Sequence, residues 1–150
     1  MKTYFKQLFE YDAWANTLLL YRFEKQFPVN PRIYQLYSHL ISAHRIWLNR
    51  CLGLPQSTAL WMDRLPAEMR IDQEAYHLDW LAFLDQLNEG DFDKTVTYTN
   101  SKGDTFTNVL SSIMAHLINH GTYHRGNLTI LMKEEGFVVD NLDLITYLRK

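Results

Sequence analysis

The sequence contains a single cysteine, Cys51, in 150 residues, so no disulfide can form within the chain. That scarcity is typical of proteins from a reducing compartment. The opening residues, Met-Lys-Thr-Tyr-Phe-Lys, lack the apolar core of a signal peptide. No run of apolar residues approaches the ~20 that a membrane-spanning helix needs. These absences predict a soluble, cytoplasmic protein.

Neither sign of charge dominates the sequence. The chain has 15 Lys and Arg residues and 17 Asp and Glu residues, which gives a net charge of −2 at pH 7. Proteins that bind nucleic acid or an anionic membrane surface carry a basic patch, and no such excess is present here. A glycine-rich phosphate loop is also missing, because the turn Ser101-Lys102-Gly103 lacks a second glycine and a following helix. We therefore expect neither nucleic acid nor a membrane as a partner.

What the sequence does contain is enough apolar material for one folded domain. Hydrophobic residues make up 47% of the chain and aromatic residues 14%. A chain of this length buries roughly 70% of the surface that its unfolded form exposes, so its core needs no covalent staples. No repeat or composition change marks a boundary. Residues 1–150 are predicted to form a single domain.

Proline and glycine are scarce, with four and six residues, and they separate long helical segments. Apolar residues recur with helical periodicity over three segments, residues 2–26, 31–52 and 72–88. A fourth helix is predicted from Thr107 or Asn108, acting as N-cap, to about Glu135, where Gly136 ends it. The second helix has the clearest boundaries, with Asn30 as N-cap, Pro31 in the first turn and Gly53 after the last.

Two segments lack helical periodicity. Residues 54–70 contain Pro55 and Pro66 and are predicted to form a long connection. Residues 94–107 place β-forming residues on both sides of a turn, which predicts a short hairpin. The apolar tail after Gly136 is expected to pack and to end in a short helical segment. The resulting fold class is all-α: a four-helix bundle with a long crossover connection and a small β-hairpin before the last long helix.

Three of the six histidines lie on the fourth helix at positions i, i+4 and i+8: His116, His120 and His124. This spacing places successive imidazoles one turn apart on one helix face, where two of them can share a cation. Imidazole ligands suit Zn²⁺, Ni²⁺ and Fe²⁺, and three protein ligands leave a coordination position open. The third ligand would come from a facing helix. His39 and His44 are the candidates there, and the apolar stripe of that helix favours His44.

Other residues near these histidines have more ordinary interpretations. Gly121 and Gly126 lie inside the fourth helix, which indicates close packing or room for a ligand. Arg125 is expected to form a salt bridge on the helix surface, and Tyr123 is expected to pack or to reach the site. Cys51 is interpreted as a small buried hydrophobic residue and His77 as solvent-exposed. The tryptophans are all expected in the core: Trp14, Trp47, Trp61 and Trp80.

Four stretches of the sequence resemble the DinB-like family of metal-binding four-helix bundles, named after damage-inducible bacterial proteins. They follow in order along the chain: residues 11–16 (YDAWAN), 39–48 (HLISAHRIWL), 101–106 (SKGDTF) and 119–127 (NHGTYHRGN). The resemblance covers essentially the whole chain, and the joint occurrence of the motifs is more specific than any one of them.

The resemblance implies a metal site formed by His39, His120 and His124, in place of the His44 that periodicity favours. It makes His44 and His116 neighbours of that site, with Tyr123 a further candidate. Relatives include thiol-dependent isomerases and thiol S-transferases, and many others are described only as metal-dependent hydrolases. Many relatives are homodimers, so a homodimer is expected here as well.

The functional hypothesis is a metal-dependent enzyme in which a divalent ion (Zn, Ni or Fe) activates a water or the thiolate of a low-molecular-weight thiol. Peptidase activity is not expected, because the glutamate of the H-E-x-x-H metalloproteases is absent between His120 and His124. The alternatives are a non-enzymatic metal-binding stress-response bundle and a helical dimer without a metal.

Overall fold

A computed structural model describes residues 1–149. Within this range the chain forms four long helices: α1 (Lys2–Lys25), α2 (Pro31–Leu52), α3 (Pro66–Gln86) and α4 (Leu110–Glu134). A 3₁₀ turn (Glu89–Asp93) and an antiparallel hairpin of β1 (Thr95–Thr99) and β2 (Thr105–Val109) precede α4, and a single helical turn, α5 (Leu144–Tyr147), follows it. The architecture confirms the predicted bundle and its hairpin. No helix in this range has the length and apolar character needed to cross a bilayer.

The boundaries of α2 agree with the sequence signals. The Asn30 side chain accepts a hydrogen bond from the backbone N–H of Arg32 at 2.9 Å, and Pro31 occupies the first turn, where its missing N–H costs nothing. Gly53 ends the helix in the left-handed conformation, with φ of 67°. Local capping therefore sets both ends of α2.

The start of α3 differs from the prediction. The helix begins at Pro66 rather than residue 72 and ends at Gln86 rather than residue 88. Pro66 occupies the first helical position, and the Glu68 carboxylate accepts a hydrogen bond from the backbone N–H of Leu65 at 2.7 Å. The connection after α2 is consequently shorter than predicted and covers residues 53–65.

The start of α4 also differs, because the hairpin is longer than predicted. Thr107 and Asn108 belong to β2, where they pair with Thr97 and Val96 of β1. Neither residue can act as an N-cap while it is part of the strand. The helix therefore begins at Leu110, without a side-chain cap.

Two apolar clusters fill the bundle, one toward each end. The first contains Phe9 and Trp80, and the second contains Phe23 and Tyr37. The middle of the bundle, between the clusters, is polar and contains these buried side chains: Asp12, Asn16, His39, Ser42, Gln73 and Arg125. The site described below belongs to this polar layer.

Two expectations about burial were wrong. Trp80 is fully buried and Trp47 packs against the first apolar cluster, as predicted, but Trp61 is 50% exposed and Trp14 is only partly buried. His77 is partly buried rather than solvent-exposed, because its side chain lies in a cavity between α1, α2 and α3.

Candidate metal centre

Two helices bring three histidines together in the middle of the bundle. On α4, the rings of His120 and His124 are one turn apart, with centroids separated by 4.4 Å. His39 on α2 faces them, with ring centroids 5.0 Å from His120 and 4.7 Å from His124. One ring nitrogen from each residue lies within 4.8 Å of the others. We call this group the histidine triad.

The ring nitrogens of the triad are arranged as metal ligands require. His39 Nδ1 lies 3.2 Å from the Leu60 carbonyl oxygen, to which it can donate, and this leaves the Nε2 lone pair free. The Nε2 atoms of His39 and His120 are 3.1 Å apart. Two nitrogens bound to one tetrahedral ion at ~2.0–2.1 Å would be about 3.3–3.4 Å apart, so a small adjustment suffices.

The triad also contains unpaired polar atoms. Nδ1 of His120 and Nδ1 of His124 are buried without a hydrogen-bond partner among residues 1–149. Buried polar atoms in native proteins are almost always satisfied, so these Nδ1 atoms indicate solvent or another partner at the triad. The three converging imidazoles themselves are a donor set that fits a divalent transition metal.

Electrostatics keep the triad in the form that binds metals. Burial lowers the pKa of His120 most, and the neighbouring His124 and His39 add to the effect, so that its pKa falls to about 3. Burial likewise lowers the pKa of His39 and of His124. All three imidazoles are therefore neutral at pH 7, and neutral imidazole is the ligating species.

The triad is enclosed on one side and accessible on the other. His39 is buried, whereas His120 and His124 are partly exposed. The ring of Trp61, from the connection between α2 and α3, stacks on His39 at a centroid distance of 4.2 Å. The Arg32 guanidinium lies 4.9 Å from the centre of the Trp61 ring. A ligand can thus approach from the α4 side while Trp61 covers His39.

The other candidate residues surround the triad without joining it. His44 turns toward α1, where its Nε2 lies 2.9 Å from a carboxylate oxygen of Asp12. The ring of His116 is 5.8 Å from that of His120 and 5.2 Å from that of Trp47. Tyr123 is 68% exposed, with its ring 5.1 Å from that of His124. The periodicity argument for His44 as a ligand was therefore wrong, and His39 occupies that place.

A buried ion pair behind the triad was not predicted. Arg125 was expected on the helix surface, but it is only 2% exposed and pairs with Asp12 of α1. Its Nη1 also donates to the Asn16 side-chain oxygen at 3.0 Å. Burial alone would raise the pKa of Asp12, but the charge of Arg125 and the hydrogen bond from His44 outweigh it and hold that pKa well below its usual range. Asp12 is consequently ionised at neutral pH.

Gly121 provides the space for this ion pair. A Cβ atom at Gly121 would collide with Asp12 Oδ1 and would lie 2.9 Å from Arg125 Nη1. The glycine in the sequence was the one signal that pointed to such a close approach. Gly126 has no neighbour within 4 Å of the same position, and nothing in the structure explains it.

Comparison with known proteins supports the same assignment. A sequence model described as the DinB family matches residues 1–150. The chain is 26% identical over 161 aligned residues to "Protein DinB" of Bacillus subtilis (strain 168), and the alignment covers 95% of this chain and 92% of that relative.

The fold also has a solved counterpart. A crystal structure of a DinB-like protein from Bacillus cereus ATCC 10987 matches with a TM-score of 0.61 and 19% identity, covering 91% of this chain and 94% of the other. This likeness concerns the fold. Since the family model spans the entire chain and the fold agrees with it, the protein belongs to the DinB family.

Proposed function

We propose that the protein is a metal-dependent enzyme that holds a divalent ion (Zn, Ni or Fe) through His39, His120 and His124. The observation that carries the proposal is the convergence of three neutral imidazoles, with ring nitrogens within 4.8 Å of one another, in the polar middle of the bundle. Three protein ligands are typical of catalytic sites, whereas structural zinc sites use four. The reaction is of the hydrolase type or of the thiol-dependent S-transferase or isomerase type.

An ion at this position supplies a Lewis acid that lowers the pKa of a bound water or thiol. The residues around it determine what else is available. The triad includes no carboxylate, and the buried Asp12 is already paired with Arg125, so neither offers a general base at the ion. This agrees with the absence of the metalloprotease glutamate and disfavours peptide hydrolysis.

A thiol-dependent reaction would need an external thiol. Burial raises the pKa of the Cys51 thiol to about 12, although the Arg50 charge opposes the shift. Because the thiolate is the nucleophile, Cys51 is inert at neutral pH. The thiol would therefore enter as a substrate, and a low-molecular-weight thiol has the right size for a small domain.

The metal content of the purified protein tests the site. Protein prepared without added metal is expected to contain about one divalent ion per chain by elemental analysis. His39→Ala and His120→Ala should each lose it. His116→Ala, one turn before His120 on α4, is the matched control and should retain it. If both triad variants keep the wild-type metal content, the proposed site is wrong.

Turnover tests the enzyme assignment separately. We expect metal-loaded protein to consume a low-molecular-weight thiol together with an electrophile, or to hydrolyse an activated ester, and to lose this activity after chelation. His120→Ala should be as inactive as the chelated wild-type protein. Protein that retains the ion in the triad but turns over neither substrate class would instead support a non-enzymatic metal-binding bundle.

A further inference from the structure

A cavity lies beside the histidine triad, and His116 separates the two. It has a volume of about 260 Å³ and is lined by residues of α2, the hairpin and α4: Trp47, Tyr98, Asn108, Ser112, Ile113 and His116. The ring of His116 lies 5.8 Å from that of His120. This volume suits a small molecule or one end of it. We call it the Trp47 cavity.

Arg50 is not one of the lining residues, but it places a positive charge against two of them. Its guanidinium carbon lies 4.5 Å from the centre of the Trp47 ring and 4.8 Å from that of Tyr98, the two aromatic walls. The charge acts on His116 as well, where it adds to the effect of burial in lowering the pKa. None of the residues that line the cavity is acidic.

The guanidinium of Arg50 has no anionic partner in the part of the chain that the structure describes. No carboxylate there forms an ion pair with it, and its Nε is buried without a hydrogen-bond acceptor. Five other arginines are ion-paired, whereas the exposed Arg32, like Arg50, has no carboxylate partner there; the five are Arg22, Arg45, Arg64, Arg70 and Arg125. Arg50 thus combines the lack of an anionic partner with direct contact to two aromatic walls of the cavity.

Leaving this cation partly buried is unfavourable without a partner. The two aromatic rings offset part of the cost through cation–π contacts. The rings neutralise no charge and offer no oxygen to the guanidinium. A carboxylate does both, because its two oxygens match the planar fork of a guanidinium.

We propose that the Trp47 cavity binds the carboxylate of a small-molecule substrate through Arg50, with the remainder of the molecule extending past His116 to the histidine triad. One fixed positive charge matches a monoanionic carboxylate better than a phosphate monoester, which carries about −1.5 to −2 at pH 7. This inference deepens the proposed function and rests on it for the reaction of the substrate. The binding of the carboxylate does not depend on the ion.

Benzoate is a suitable probe, because it combines a carboxylate with a flat ring for the aromatic walls. Titration calorimetry at constant ionic strength should be performed on metal-free and metal-loaded protein, with neutral benzamide and with phenyl phosphate as comparison ligands. We expect metal-free wild type to bind benzoate at least about tenfold more tightly than benzamide, because a hydrogen bond to a charged group is at stake. Phenyl phosphate should bind more weakly than benzoate.

Variants locate the binding site. Arg50→Gln should weaken benzoate binding at least about tenfold, and Arg50→Lys, which keeps the charge but not the fork, should fall between it and the wild type. Two controls remove the same charge elsewhere: Arg45→Gln on the same helix and Arg32→Gln beside Trp61. Their affinity for benzoate should stay within about twofold of the wild-type value. Thermal melting of each variant verifies folding.

The outcomes separate this inference from the metal assignment. Benzoate binding that survives Arg50→Gln, that moves with Arg32→Gln, or that is absent in the wild type overturns the Trp47 cavity as a carboxylate site. Tighter binding of phenyl phosphate than of benzoate overturns the choice of carboxylate. Loss of benzoate binding only on metal removal places the anion on the ion and also overturns it. A further outcome concerns the metal site alone. If the wild type binds benzoate as expected but His39→Ala and His120→Ala both keep the wild-type metal content, the metal site is refuted and the carboxylate site stands.

Discussion

Gly121 lies on α4 between the triad residues His120 and His124, and its missing side chain leaves room for the Asp12–Arg125 pair. Asp12 cannot retreat from an added methyl group without lengthening its contacts with Arg125 and His44. Gly121 thus allows the backbone of α4, which carries two triad residues, to pack directly against the buried Asp12–Arg125 pair.

Gly121→Ala is therefore expected to destabilise the protein, even though alanine is the better helix former. Overpacking typically costs about 1–3 kcal/mol, and a collision this close belongs in the upper part of that range. The helix-propensity gain is about 1 kcal/mol, so the free energy of unfolding should fall by about 1–2 kcal/mol. Gly126→Ala is the matched control. It meets nothing within 4 Å and should raise the free energy of unfolding by up to about 1 kcal/mol. Urea denaturation measures both, and equal stabilisation by the two changes would contradict the packing argument.

The lowered pKa values of the triad predict how metal affinity depends on pH. Each of the three histidines has a folded-state pKa below the ordinary value of 6.5, so protons do not compete with the ion above that pH. Affinity should be nearly constant from about pH 8 to 6.5 and should weaken at lower pH. Over the same acidic range the metal-free protein should lose stability, because the unfolded chain then binds more protons than the folded one.

Competition with a chromophoric chelator across this pH range measures the affinity. An affinity that already falls about tenfold between pH 8 and 7 would show that a ligand with a pKa raised to about 8 or above controls binding. Such a result would exclude the triad as described.

At the scale of whole elements, the sequence predicted boundaries well where a single local signal decides them. Asn30, Pro31 and Gly53 define α2 correctly, because capping depends on neighbouring residues alone. Pro66 was interpreted as part of a loop, although proline is equally favourable in a first helical turn. Thr107 and Asn108 are good N-cap types, but pairing across the hairpin outweighed that local preference.

The connection at residues 53–65 is the element whose conformation the sequence did not reveal. Its position depends on contacts with the middle of α2, more than 20 positions earlier in the chain: the Ser38 hydroxyl donates to the Met62 carbonyl, and the buried Arg64 donates to the Ser42 hydroxyl at 2.8 Å. These contacts place Trp61 on His39 and the Leu60 carbonyl at His39 Nδ1. The connection therefore orients the α2 ligand of the triad.

Trp61→Ala should release the ion faster while leaving the fold largely intact, because Trp61 is half exposed and covers only His39. Aromatic contacts contribute about 0.5–1.5 kcal/mol, which corresponds to a roughly 2- to 10-fold faster metal transfer to an excess of chelator. Trp61→Phe, which keeps a stacking ring, should restore most of the wild-type rate. Unchanged release from the alanine variant would show that the connection does not protect the site.

At the scale of the whole molecule, the choice between His39 and His44 shows what a single helix pattern cannot decide. Helix α2 packs against both α3 and α4, and residues 36–43 are all buried. An apolar stripe therefore does not identify which face of α2 meets the α4 histidines. The family resemblance pointed to His39, which is the α2 histidine that lies beside His120 and His124. The Asp12–Arg125 pair could not be predicted from a single helix either, because its two residues lie on different helices, 113 positions apart.

We also propose that the protein forms a homodimer through apolar helix faces, specifically through the face of α1 and α4. A groove of about 300 Å³ on this face has mostly apolar lining residues, and Tyr4 beside it is 60% exposed. Light scattering should give twice the chain mass of 17.8 kDa. Tyr4→Glu should yield monomers, whereas Tyr21→Glu, at another exposed position of α1, should not. A single 17.8 kDa wild-type species would refute the dimer.

The most direct test of the central claim is a crystal structure with anomalous diffraction recorded at the absorption edge of the metal found in the purified protein. We expect one anomalous peak per chain, with a ring nitrogen of each of His39, His120 and His124 within about 2.0–2.2 Å of it. At least one further coordination position should be occupied by a water or a small ligand rather than by a protein side chain. A peak elsewhere, a peak bound by His44 or His116 in place of a triad residue, or a metal-free triad in active protein would contradict the account.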